Sequence, residues 1–114
     1  MESNFKTYIG EILDVNQIIL QLSESPNRNW KLISLGDRTC SFRLKQNDYS
    51  FFVIRDWGHN LEYIDFRIVD PRGNTIIKQR QDISEESLLR VLYFDICKKY
   101  VVKYKNEIKE ALEK

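Results

Sequence analysis

A chain of 114 residues, 42% hydrophobic and 31% charged, can bury a core of its own in one α+β domain spanning 1–114, which excludes a disordered chain and the need for metal or disulfide staples. With 18 basic and 17 acidic residues the formal net charge is +1, so the molecule as a whole has little field for gathering phosphates or an anionic membrane. No apolar run approaches the roughly 20 residues of a bilayer span and Met1-Glu2-Ser3-Asn4 lacks the basic start of a secretion signal, so no membrane role and a cytoplasmic location are expected.

The spacing of Phe5, Tyr8, Ile12, Val15, Ile19 and Leu22 predicts an N-terminal helix, with Ile9, Leu13, Ile18 and Leu20 widening its apolar stripe and Gly10 weakening its middle. Ser23 to Asn27 ends it, because Pro26 lacks an amide proton and pushes the residue before it out of helical geometry.

An antiparallel meander of about four or five strands follows. Trp30 to Leu35 and Thr39 to Lys45 are the first two candidates, and in the second Cys40, Phe42 and Leu44 alternate with Ser41, Arg43 and Lys45. Gln46-Asn47-Asp48 turns the chain into Tyr49 to Arg55, where both alternating sets are apolar: Phe51 and Val53 on one side, Phe52 and Ile54 on the other. A strand with two dry faces belongs near the middle of a sheet, and each face needs a cover. Asp56 to Asn60 reads as the next turn, Leu61 to Val69 as a strand with Ile64, Phe66 and Ile68 on one side, Asp70 to Asn74 as a turn, and Thr75 to Gln79 as a short last strand.

A long C-terminal helix closes the chain. Ser84 is the expected N-cap, with Glu85 and Glu86 in the first turn and Ile83 and Leu88 spaced as a hydrophobic staple. Leu88, Leu92, Ile96, Tyr100, Tyr104, Ile108 and Leu112 then descend one side, while a densely charged end is expected to project past the body.

Residues that could carry chemistry are few. His59 is the single histidine, and no serine or cysteine is tied to it by a recognised motif, so an exposed turn histidine is the simpler reading. Cys40 and Cys97 lack the close spacing of a metal or redox pair and read as buried thiols. Asp48, Asp56, Glu62, Asp65 and Asp70 show no calcium-loop spacing, and four isolated glycines make no phosphate loop. No cofactor or metal is implied.

Binding is the expected role. Another protein, or a second copy of the chain, would meet Phe52, Ile54, Trp57 and Tyr63 on the sheet, which suits an inhibitor, adaptor or assembly subunit. The alternative is single-stranded nucleic acid on the basic side of the last helix, through Lys98, Lys99, Lys103 and Lys105, or on a sheet where Arg43, Lys45, Arg55 and Arg67 join Trp57, Tyr49 or Tyr63. Asp95, Glu107, Glu110 and Glu113 interleave with those lysines and weaken that alternative. A third reading is an enzyme whose site is assembled from scattered residues.

Overall fold

The computed structural model describes residues 14–24, 28–58 and 60–113. It is α+β: helix α1 (Val15–Glu24), strands β1 (Lys31–Leu35), β2 (Thr39–Gln46), β3 (Tyr49–Gly58), β4 (Leu61–Val69) and β5 (Thr75–Asp82), then helix α2 (Leu88–Leu112). The strands form one antiparallel sheet in the order β1-β2-β3-β4-β5, so the doubly apolar β3 is central, as its composition requires. Of the expected first helix, the part before Asp14, including Phe5, Tyr8, Ile9, Gly10, Ile12 and Leu13, lies outside the described residues, as does His59.

Tight turns explain the meander. Asn47 and Asp48 both take positive φ, 51° and 66°, which is the two-residue hairpin that matches strand twist. At the other turn Asp70 Oδ1 accepts hydrogen bonds from the amides of Arg72 and Asn74, both 2.9 Å, and Gly73 takes φ 89°.

Both helices lie on the same side of the sheet. The core joins Ile19 and Leu22 of α1, Leu89, Leu92, Tyr93 and Ile96 of α2, and Phe42, Leu44, Val53, Ile64, Phe66, Ile68 and Ile77 of the sheet. Every sheet residue in it shares the parity of Val53, so the helices cover that face. The Phe42 ring meets Tyr93 and Tyr100 at 6.3 and 5.7 Å between centroids.

Three boundaries differ from the sequence expectation by more than one residue. β3 continues through Asp56 and Trp57, which pair with Tyr63 and Glu62, so the connection is shorter than the five-residue turn expected. Trp57 packs at the margin of the core and its strand geometry follows from that burial. β5 reaches Asp82 because Arg80 bonds Asp65 across the ladder. The N-cap of α2 is Ser87, whose Oγ accepts from the Arg90 amide at 3.1 Å, and not Ser84. Ser84 is taken by a turn instead: its amide and hydroxyl both donate to Asp82 Oδ1, at 2.9 and 2.7 Å, so Glu85 and Glu86 precede the helix.

Beyond Tyr100 every described residue of α2 is exposed, and Tyr104, Ile108 and Leu112 are 43%, 56% and 81% accessible, so this half of the helix extends past the core. The buried stripe runs through Leu89, Leu92, Tyr93 and Ile96, and Leu88 lies outside it.

Candidate functional site

The sheet face opposite the helices is the candidate. Among the described residues no helix packs on it, and strand register arranges its side chains in rows that run across the strands. One row reads Lys31, Arg43, Phe52, Arg67, Lys78, one residue from each strand in order. The next holds Ser34, Ser41, Ile54, Asp65 and Arg80, and beyond it stand Thr39, Asp56, Tyr63 and Asp82. Cations therefore gather towards one end of the face and acids towards the other.

The middle row is tied together by hydrogen bonds. Asp65 is 1% exposed and accepts from Arg80 Nε at 2.8 Å and a terminal nitrogen at 3.1 Å, with Arg67 at a longer 3.4 Å. Burial works to raise the Asp65 pKa, but the hydrogen bonds and charge of Arg80, joined by Arg67, outweigh it and hold the carboxyl below the usual carboxylate range. The Arg80 guanidinium also lies 5.0 Å from the Tyr63 ring centre, which occupies one face of that ring. The Ser34 and Ser41 hydroxyls share a hydrogen bond of 2.6 Å. Arg67 Nε is buried and has no hydrogen-bond partner among the described residues.

Of the residues expected to meet a protein partner, the fold brings Phe52, Ile54 and Tyr63 onto this face and places Trp57 on the other. Trp57 lies beneath the Arg55 guanidinium, 4.7 Å from its ring centre, and that same arginine approaches Tyr93 at 5.6 Å and pairs with Glu62 at 2.7 Å. Arg55 and Tyr49 share the parity of Trp57, so the expected sheet patch of Arg43, Lys45, Arg55, Arg67, Trp57, Tyr49 and Tyr63 is divided between two faces. Lys31 and Lys78 belong to the cationic row but were not among the expected site residues. Alternation assigns each to a side of its own strand; only register across five strands aligns them.

The four helix lysines do not share one side. Lys98 and Lys105 are seven residues apart on one flank of α2, while Lys99 and Lys103 fall roughly 130° around the helix. Lys99 and Lys103 border a hollow with Trp30 and Tyr100, and Lys105 borders a separate apolar groove.

That groove, about 440 Å³, runs between β1 and the exposed half of α2 and is lined by Leu32, Leu35, Cys97, Val101 and Ile108 among others. Both cysteines border it as unpaired thiols. Burial pushes the Cys97 thiol up against the opposing hydrogen bond with Tyr93, so it is not a thiolate at neutral pH. The described residues contain no group of three or more His, Cys, Asp or Glu side chains placed to hold a metal ion, and no described helix is long and apolar enough to cross a membrane.

No protein-family model, curated protein or solved structure matches this chain.

Proposed function

We propose that the protein is a non-catalytic binding module that engages another protein through the open face of its sheet. One observation carries this reading: Phe52 and Ile54, at the centre of the central strand, lie on the face that neither described helix covers. Apolar side chains in the middle of a face, ringed by arginine, serine and tyrosine, have the composition of a protein interface, where aromatic residues and arginine are enriched. The exposed half of α2 and its groove form a second apolar surface on the far side of the sheet, which serves as an internal control.

The test is affinity purification of the tagged full-length protein from its native cells, comparing the parent with Ile54→Asp and with Ile108→Ser, after thermal melts confirm that both variants fold. A stoichiometric protein partner, or a second copy of the chain seen by light scattering, should be lost with Ile54→Asp and kept with Ile108→Ser. The reverse pattern would move the interface to the helix groove.

A further inference from the structure

We propose that the open sheet face docks an acidic amphipathic helix laid across the strands, with its carboxylates on the row Lys31, Arg43, Arg67, Lys78 and an apolar side chain on Phe52. This deepens the proposed function and rests on its assignment of the face.

The row has an unusual construction. Lys31 stands directly opposite Arg43 and Arg67 directly opposite Lys78, two like-charged cross-strand pairs in one line. Like charges facing each other across a ladder are destabilising. A fold that retains two such pairs at the edges of one stripe concentrates positive charge there, and departures from local rules of this kind collect at functional sites. The free protein offsets little of it: among the described residues only Arg67 of the four has an ion pair, its 3.4 Å contact with Asp65. Lys45, on the same face beyond Arg43, adds a further cation, and its cross-strand neighbour Ser50 is neutral. An anionic ligand would relieve the repulsion and so bind with a favourable charge contribution.

Geometry selects the shape of that ligand. Neighbouring strands are about 4.8 Å apart, which sets the cations about 5 and 10 Å to either side of Phe52. An α-helix rises about 5.4 Å per turn, so a helix crossing the strands presents about one turn to each strand. Residues at i−7, i−4, i, i+4 and i+7 lie on one helical side, and carboxylates at the outer four positions reach Lys31, Arg43, Arg67 and Lys78 while an apolar residue at i covers Phe52. Over the whole stripe the two repeats differ by about 2 Å, which flexible lysine and arginine side chains absorb.

A helix fits the face better than a nucleic-acid strand does. Stacking requires open aromatic rings, and here Tyr63 carries the Arg80 guanidinium while Phe52 is half-buried. Asp56 and Asp82 stand two rows away and would repel a chain of phosphates that wandered along the face, whereas a single helix axis confined to the cationic row avoids them.

The test uses a helical peptide of ~18 residues with glutamates at i−7, i−4, i+4 and i+7 around a central leucine, and a second peptide of identical composition with the glutamates moved to the opposite side. Fluorescence anisotropy with the full-length protein should show the first peptide binding at about 10 μM or tighter in low salt and weakening on the order of tenfold as salt is raised. Arg43→Glu, Lys78→Glu and Phe52→Ala should each weaken it several-fold, and Lys105→Glu on the far side should not. No binding at millimolar peptide, or equal binding of the two peptides, overturns the proposal. A labelled single-stranded oligonucleotide that binds more tightly than the first peptide and loses that affinity in Arg43→Glu also overturns it and gives the face to nucleic acid. If the peptide fails while capture of the native partner still depends on Ile54, the face remains an interface and the acidic helix alone is withdrawn.

Discussion

Asp65 and Arg80 form a lopsided pair: the carboxylate is 1% exposed and the arginine side chain that covers it 53% exposed. Removing either partner should therefore have unequal effects. Arg80→Ala leaves a buried carboxylate with only the longer Arg67 contact and should be the more destabilising of the two, whereas Asp65→Asn releases an arginine that water can solvate and should cost about 1 kcal/mol. Urea denaturation of the two variants at neutral pH measures the difference, and equal losses would mean that Asp65 is far more hydrated than its burial implies.

The same pair sets a pH dependence. The folded pKa of Asp65 lies below its unfolded value, so the stability it contributes is present above the unfolded pKa of about 3.9 and is lost as pH falls through the folded value. Asp70 and Asp82 are shifted the same way by hydrogen bonds, from the Asn74 backbone and from Ser84 respectively, and add to the acid limb. Stability should fall below about pH 4, and Asp65→Asn should make that fall shallower than in the parent. Denaturation midpoints taken across the acid range read the slope directly.

The two ends of the cationic row make a prediction in which stability and binding move apart. Lys78→Glu replaces a repulsive cross-strand pair with an attractive one beside Arg67, and should raise stability by about 0.2–1 kcal/mol in the isolated protein. The same substitution should weaken the acidic peptide. A merely structural lysine would not couple the two effects in opposite directions, so a thermal melt and a binding isotherm on one variant decide the matter.

The start of α2 can be located by two alanine substitutions. Ser87→Ala removes the side-chain acceptor of the Arg90 amide and should cost about 1 kcal/mol, while Ser84→Ala in its exposed turn should cost about 0.5 kcal/mol or less. Chemical denaturation distinguishes them, and the opposite ranking would restore the earlier start.

Core and open face should also differ in their response to truncation. Phe66, fully buried beneath the helices, should lose about 3–5 kcal/mol as alanine. Phe52 is half-buried and its truncation should cost about 2 kcal/mol or less. A loss at Phe52 as large as that at Phe66 would show a buried packing position and remove it from the candidate interface.

Much of this architecture is legible along the chain because strand and helix periodicities are local. Alternation separates Phe51 and Val53 from Phe52 and Ile54, Asn47-Asp48 and Asp70 to Asn74 are turns by the conformational preferences of their own residues, and Ile64, Phe66 and Ile68 declare one dry side of β4. The same alternation, followed through Arg55 to Trp57, separates Trp57 from Phe52, but a strand boundary drawn at Arg55 conceals it. What the chain cannot state locally is which face of β3 the helices take, or which residue of one strand stands beside which residue of the next. Those are decided between elements: the helices settle where β2, β3 and β4 pool their apolar side chains, and register then lines up Lys31, Arg43, Phe52, Arg67 and Lys78 from positions 47 residues apart, a row that exists only once five strands are hydrogen-bonded side by side.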